Sequence, residues 1–194
     1  MLRRLLTWIR RGFCLQQQRE EFASDSFLRI VKVQRWQHDE TGKSPMAADA
    51  AVDLMLRPGE KGLSLYRLRK EDEADELASV FSLTLRDNPT HFEYVLFPAS
   101  VLSGYRVAPV PVLDHPSFLS DRHHEIQDPS KEQLLRLAER ILGSPGKKVR
   151  RIMKQQIVNF AVQQGLLERK ELRGRVGERW RALIEKKGRA EPQG

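Results

Sequence analysis

Short runs of alternating apolar and polar residues mark the centre of the chain. They are rich in β-branched and aromatic residues and end at proline, glycine or polar clusters, which is typical of β-strands. A fourth run contains Pro109 and Pro111, which cannot donate to a ladder, so it is expected at the edge of a sheet. The predicted strands are 27–33, 63–68, 92–97 and, at the edge, 105–112.

Apolar residues at spacings of three and four predict helices between and after these strands. The clearest central helix is 71–86, whose first turn is crowded with acidic residues that complement the helix dipole. Ser130 is predicted as an N-cap, with Gln133 at the capping-box position three residues later. The helix that they start is expected to end near Leu142, before a Gly-Ser-Pro-Gly turn.

Two more helices are predicted towards the C-terminus, over 147–164 and 168–187. Gly165 lies between them as an expected C′ residue. Gly174 and Gly177 weaken the first half of the last helix by about 1 kcal/mol each relative to alanine. The segment 114–129 shows neither the alternation of a strand nor the three-and-four spacing of a helix, and it is predicted to be irregular.

These elements predict an α+β fold. A small mixed or antiparallel sheet with a packed helix is expected, followed by a C-terminal three-helix region. The predicted organisation is a basic amphipathic N-terminal helix over 1–24, an α+β core domain over 25–128, a basic helical region over 129–187 and a disordered tail over 188–194.

Charge is distributed unevenly along these regions. Residues 147–194 contain 14 Lys+Arg and 5 Asp+Glu, residues 1–20 contain 5 Arg and one Glu, and the whole chain has a net charge of +8. The centre, 21–146, is acidic, with 15 Lys+Arg against 20 Asp+Glu. A basic surface of this kind favours nucleic acid, anionic lipid or an acidic protein as partner.

One cysteine, Cys14, excludes a disulfide framework within the chain and a cysteine-rich zinc site. This composition favours a reducing compartment, and we expect a cytoplasmic protein. No apolar run reaches the roughly 20 residues that span a bilayer. The arginine-rich N-terminal helix allows four interpretations: docking on the domain or on a partner subunit, which we favour, contact with an anionic membrane surface, a targeting segment, or a non-native start.

The basic C-terminal residues are the main candidate binding site. In the predicted helix at 147–164 they crowd the N-terminus, where they oppose the dipole and cost stability, so a binding role would explain them. Their partner is predicted to be nucleic acid or an acidic protein, and a plain solvated face is the third interpretation. The residues are Lys147, Lys148, Arg150, Arg151, Lys154, Arg169, Arg173 and Arg175.

A second candidate site is the segment 114–125, which holds three of the five histidines and three carboxylates. Imidazole and carboxylate groups can ligate a metal or move protons. The HExxH spacing is absent, and adjacent histidines point apart on a helix or a strand. Asx turns explain the same composition. The candidate catalytic residues are His115, Asp121, His123, His124 and Glu125.

The prediction from the sequence is therefore a non-enzymatic interaction protein within a larger complex. It would bind nucleic acid or an acidic protein through its basic C-terminal helices, without a cofactor or a metal. The alternative is a small metal-dependent hydrolase or nuclease that uses 114–125. Trp180 falls in the apolar stripe of the last helix and is predicted to be core rather than a base-stacking platform.

Overall fold

The structure is a computed structural model. It describes residues 25–33, 36, 47–54, 61–70, 73–86 and 89–190. The helix predicted over 1–24 lies outside these ranges, as do its expected membrane-surface or subunit contacts and the last four residues of the predicted tail. Within the described ranges, no helix has the length and apolar composition that crossing a membrane requires.

Six strands form one antiparallel sheet in the described part of the chain. They are β1 (Ser26–Ile30), β2 (Gly62–Leu68), β3 (His91–Pro98), β4 (Val107–Pro109), β5 (His123–Gln127) and β6 (Lys148–Met153). Their order across the sheet is β4-β5-β2-β1-β3-β6, so β4 and β6 are its two ends.

Six α-helices accompany the sheet in the described ranges. They are α1 (Ala47–Leu54), α2 (Glu73–Leu85), α3 (Ser117–Ser120), α4 (Lys131–Gly143), α5 (Lys154–Gln163) and α6 (Glu178–Ala190). Two short 3-10 turns, Leu166–Glu168 and Lys170–Leu172, connect α5 to α6. This confirms the predicted α+β class, with an antiparallel sheet and three C-terminal helices.

Both faces of the sheet are covered, because successive side chains of a strand point to opposite sides. Phe27 and Leu65 belong to a buried cluster that α1 and α4 complete, and we call this side the α4 face. Leu28 and Tyr66 belong to a second cluster with α2, α5 and α6, and we call this side the α2 face. The core therefore lies in two layers, one on each side of the sheet.

Local signals in the sequence located several elements correctly. Ser130 Oγ accepts from the Gln133 backbone N–H at 3.2 Å, and Gln133 Oε1 accepts from the Ser130 N–H at 2.8 Å, so the predicted capping box is confirmed. Gly165 has the left-handed φ of 55° expected just after a helix. The proline-containing run is the edge strand β4.

The helix predicted over 147–164 is wrong in its first part. Residues Lys148–Met153 form β6, and the helix begins only at Lys154. Ile152 lies opposite Phe92 in the ladder with β3 and is buried beside it. Pairing along β3 therefore outweighs the helical spacing of the apolar residues. The charges of Lys148, Arg150 and Arg151 consequently lie on a strand and do not oppose a helix dipole.

Two other predictions need correction. The segment 114–129 is not irregular, because it contains α3 and the strand β5, which lies between β4 and β2. The last helix begins at Glu178 rather than near residue 168, because Gly174 takes a left-handed φ of 79° and interrupts the chain before it. That helix then continues to Ala190, past the start of the predicted tail.

Candidate functional site

The strand β6 lies at one end of the sheet and carries three of the basic residues predicted to bind a partner. Its sequence is KVRRIM, in which only Ile152 is buried and the other five residues are exposed. Ile152 faces the core under α5, and the charged residues of the strand are exposed on both of its faces. Lysine and arginine are common on such strands because they discourage accidental pairing between sheets.

Backbone hydrogen bonds determine which amides of β6 face away from β3. The Lys154 N–H donates to the Thr90 carbonyl at 3.0 Å, whereas the Glu93 carbonyl accepts from the Val31 N–H at 3.1 Å on the β1 side. Bonded and non-bonded pairs alternate along an antiparallel ladder. Glu93 and Arg151 form a non-bonded pair, so Arg151 points its N–H and C=O away from β3. Every second residue of β6, counted from Arg151, does the same. The outward residues are Val149, Arg151 and Met153.

The outward side of β6 has no strand partner in the part of the chain that the structure describes. The Met153 N–H is satisfied by Gln156 Oε1 at 2.8 Å, at the start of α5. Val149 and Met153 are 39% and 48% exposed, although both are large apolar residues. We call this surface the open edge and define it as Lys148, Val149, Arg150, Arg151 and Met153.

Arg151 has a structural partner as well as a place on the open edge. Its Nε donates to Glu93 Oε1 at 2.7 Å, and its Nη2 reaches the same oxygen. Glu93 is only 3% exposed, so this carboxylate depends on the guanidinium for compensation. The Arg151 side chain is 48% exposed and presents its remaining donors to water.

Several other predicted binding residues contact groups of their own chain. Arg169 forms an ion pair with Glu76 of α2, and Arg175 Nη1 donates to the Asp114 carbonyl at 2.8 Å. Lys147 Nζ donates to the Leu142 carbonyl, one of the last of α4. These contacts stabilise the fold and reduce the charge available to a partner.

The remaining basic candidates differ in their positions. Lys148 and Arg150 lie on the α2 face of β6 and are exposed, and Arg173 is exposed in the turn before α6. Lys154 lies 5.8 Å from the centroid of the Trp180 ring, a cation–π arrangement. The basic residues therefore do not form a surface of C-terminal helices. Three of them are grouped on one strand.

The histidine segment is divided between the two faces of the sheet. His123 lies opposite Tyr66 and His124 opposite Leu65 in the ladder with β2, so their side chains point to different sides. The expectation that adjacent histidines point apart is confirmed. His123 and Glu125 share the α2 face, and His115 joins them from the loop before α3.

A cavity of about 510 Å³ opens where β1 and β2 separate. Their ladder stops at the pair Leu28–Tyr66. Beyond it, Arg29 Nη1 donates to the Ser64 carbonyl at 2.8 Å and bridges the gap in place of a backbone rung. The lining residues are Arg29, Ile30, Val31, Lys32, Val52, Asp53, Ser64, Tyr66, Phe81, Arg86, Val112, His115, His123 and Glu125.

Two histidines of this cavity are held in defined environments. His123 Nδ1 lies 2.7 Å from the Val110 carbonyl, which can only accept, so Nδ1 carries the hydrogen. The His115 ring lies 6.3 Å from that of His123, edge to face. Burial, followed by the charge of His123, lowers the pKa of His115, while Asp114 opposes the shift. His115 Nδ1 is buried and has no hydrogen-bond partner among the described residues.

The other two catalytic candidates lie elsewhere. Asp121 and His124 line a separate cleft of about 210 Å³ together with Arg67, Arg69 and Arg122. His124 Nδ1 contacts the Arg122 carbonyl at 3.0 Å, and burial lowers the pKa of His124. The structure therefore brings His115, His123 and Glu125 together and separates them from Asp121 and His124. Within the described ranges, no three His, Cys, Asp or Glu residues are grouped closely enough to hold a metal ion.

Sequence reasoning missed most of the cavity, including Arg29 and Arg86. One signal was present. Arg29 takes the inward position between Phe27 and Val31, where the alternation of β1 calls for an apolar residue. A charged residue at such a position needs a partner or a function. A scan against protein-family models, a search of curated proteins and a search of solved structures found no match to this chain.

Proposed function

We propose that this protein is a non-enzymatic interaction subunit that binds an acidic, extended segment of a partner protein along the open edge. One observation carries the proposal. The outward backbone groups of Val149 and Arg151 lie between Lys148 and Arg150 on one face of the sheet and the Arg151 side chain on the other. An added strand would gain main-chain hydrogen bonds from β6 and cationic neighbours on both of its faces.

The exposed apolar residues favour a protein strand over nucleic acid. Val149 and Met153 lie on the α4 side of the open edge and offer apolar contacts to alternate side chains of a peptide. A phosphate backbone would use the lysine and arginine side chains alone and would not need an outward amide. Nucleic acid, which the sequence left as an equal alternative, is therefore an outcome of the test below.

Charge also argues against a second copy of the chain on this surface. Antiparallel pairing of two β6 strands would place lysine and arginine beside lysine and arginine, and like charges on adjacent strands are destabilising. An acidic strand converts each of these contacts into an attraction. The basic residues of β6 thus discourage self-association and favour an acidic partner.

Fluorescence anisotropy of a labelled peptide of alternating Glu and Thr residues tests the proposal with the full chain. The informative variant is Val149→Pro, which removes an outward N–H and leaves the bonds to β3 intact, since proline is tolerated at such a position. Val149→Thr is the matched control, because it keeps the amide and the β-branched shape. We expect at least a tenfold loss of affinity for the proline variant and little change for threonine.

An oligothymidine of equal charge serves as the competing probe. If it binds more tightly than the peptide, and Val149→Pro does not affect its binding, the nucleic-acid alternative replaces the proposal. Equal binding of the peptide by both Val149 variants would show that outward amides are not used. Membership of a larger complex and a cytoplasmic location belong to the same proposal, supported by the single cysteine and the basic surface.

A further inference from the structure

The cavity between β1 and β2 has features that the open edge does not explain. Its volume of about 510 Å³ lies in the range of pockets for small molecules. It combines charged groups with the rings of Tyr66, Phe81, His115 and His123. Burial of these polar groups costs free energy unless they are compensated, so their convergence requires an explanation.

The cationic side of the cavity is held by defined contacts. Arg29 is fixed by its bond to the Ser64 carbonyl. The Arg86 guanidinium lies 5.7 Å from the Phe81 centroid and 5.2 Å from the Phe92 centroid, so the rings support its flat face. The in-plane N–H donors of a guanidinium are suited to carboxylate and phosphate oxygens.

The acidic side of the cavity has two carboxylates among the described residues, and one of them already accepts hydrogen bonds. Asp53 Oδ2 accepts from the Lys32 backbone N–H at 2.8 Å and from Trp36 Nε1. Glu125 faces the cavity from β5, on the same side as Ser64. Among the described lining residues, Arg29, Lys32 and Arg86 outnumber these two carboxylates, so this part of the lining is mainly cationic.

We propose that this cavity binds a small organic anion with an unsaturated ring or similar apolar body. Arg29 and Arg86 hold its carboxylate or phosphate group, and the body lies among Tyr66, Phe81 and His115. Glu125 accepts a hydrogen bond from a hydroxyl or amino group of the ligand, and His123 lines the same side of the cavity. The site is independent of the open edge, which lies at the far end of the sheet beyond β3.

Isothermal titration calorimetry of the full chain with phenyl phosphate tests the site. Inorganic phosphate and phenol are the two halves of this probe, and benzoate distinguishes a carboxylate from a phosphate group. We expect phenyl phosphate or benzoate to bind at least tenfold more tightly than either half. Absence of binding by both aryl anions at millimolar concentration would overturn the proposal.

Variants locate the binding. Arg86→Gln is expected to weaken aryl-anion binding at least tenfold, whereas Arg106→Gln, an exposed arginine outside the cavity, removes the same charge without effect. Glu125→Gln removes a negative charge from the lining and is expected to strengthen binding about threefold or more, a direction that misfolding would not produce. Equal losses in the two arginine variants, or no gain with Glu125→Gln, would assign the binding to general surface charge.

The two proposals can fail separately. Val149→Pro is expected to weaken binding of the acidic peptide at least tenfold and to leave the affinity for phenyl phosphate unchanged. If Val149→Pro weakened both, the anion would bind at the open edge rather than in the cavity, and the cavity proposal would be wrong.

Discussion

Arg151 of β6 binds Glu93 of β3 across the ladder, with Nε 2.7 Å from Oε1. Glu93 is 3% exposed, whereas the Arg151 side chain is 48% exposed, so the pair joins a buried charge to a partly solvated one. His91 Nε2 lies 3.9 Å from the other carboxylate oxygen. Arg151 therefore belongs to the open edge and also holds β6 against β3.

Removal of the guanidinium should destabilise the fold. Breaking a fully buried pair costs about 3–5 kcal/mol, and the exposure of Arg151 lowers our expectation for Arg151→Ala to about 2 kcal/mol. Urea unfolding followed by circular dichroism measures the change. Arg173→Ala, at an exposed arginine, is the control and should change stability by less than about 0.5 kcal/mol. A loss equal to that of the control would mean that Glu93 is compensated by other groups.

The hydrogen bond from Arg29 to the Ser64 carbonyl should stabilise the fold at the point where β1 and β2 separate. Arg29→Met keeps the length of the side chain and removes the donor, which leaves a partly buried carbonyl without this hydrogen bond. We expect a loss of about 1–3 kcal/mol in the free energy of unfolding. Hydrogen exchange locates the effect, because amides of β1 and β2 should lose protection before those of β6. Uniform loss across the sheet would contradict this local role.

The capping box of α4 gives a smaller and more local prediction. Ser130→Ala removes the acceptor for the Gln133 N–H and should cost about 1 kcal/mol. Ser130→Asp keeps an acceptor at the same position and adds a charge that the helix dipole favours. It should retain most of the stability. Thermal unfolding of both variants provides the comparison, and equal losses would show that the cap contributes little.

The capping box could be predicted because its signal is local. Ser130 and Gln133 are three residues apart, and the hydrogen bonds between them need no other part of the chain. The alternation in β1, β2 and β3 is equally local. The strand β6 was missed because Val149, Ile152 and Met153 also fit a helical spacing. Only the presence of β3, more than fifty residues earlier, decides between the two structures.

The candidate sites show the same limit. His115, His123 and Glu125 were selected because they are close in sequence, and they do line one cavity. His124 was selected for the same reason and lies on the opposite face. Arg29 and Arg86 could not be selected by proximity, since they reach the cavity from β1 and from the end of α2. The inward position of Arg29 was the one local indication of a polar interior.

The lowered pKa of His124 predicts a loss of stability in mild acid. Burial holds the folded pKa below the unfolded value near 6.5, so the unfolded chain binds the proton more readily. The stabilisation is complete above pH 6.5 and is lost as the pH falls below it. Urea midpoints at pH 7.5 and 5.5 should therefore differ. His124→Gln should reduce that difference, whatever it costs at pH 7.5, and an unchanged difference would assign the effect to other groups.

Trp180 should control the docking of α6 on the sheet. The residue is 1% exposed in the α2-face core, which confirms the predicted core position, and its Nε1 donates to the Arg86 carbonyl at 3.2 Å. Trp180→Ala should cost about 3–5 kcal/mol through loss of packing. Trp180→Phe should cost about 1–3 kcal/mol, because it leaves the carbonyl without its donor. Ile184→Val, a smaller deletion in the same helix, is the control at about 0.5–1.5 kcal/mol. Unfolding in urea, followed by circular dichroism, should rank the three variants in this order. A cost for Trp180→Ala no larger than that of Ile184→Val would mean that the Trp180 side chain does not anchor α6.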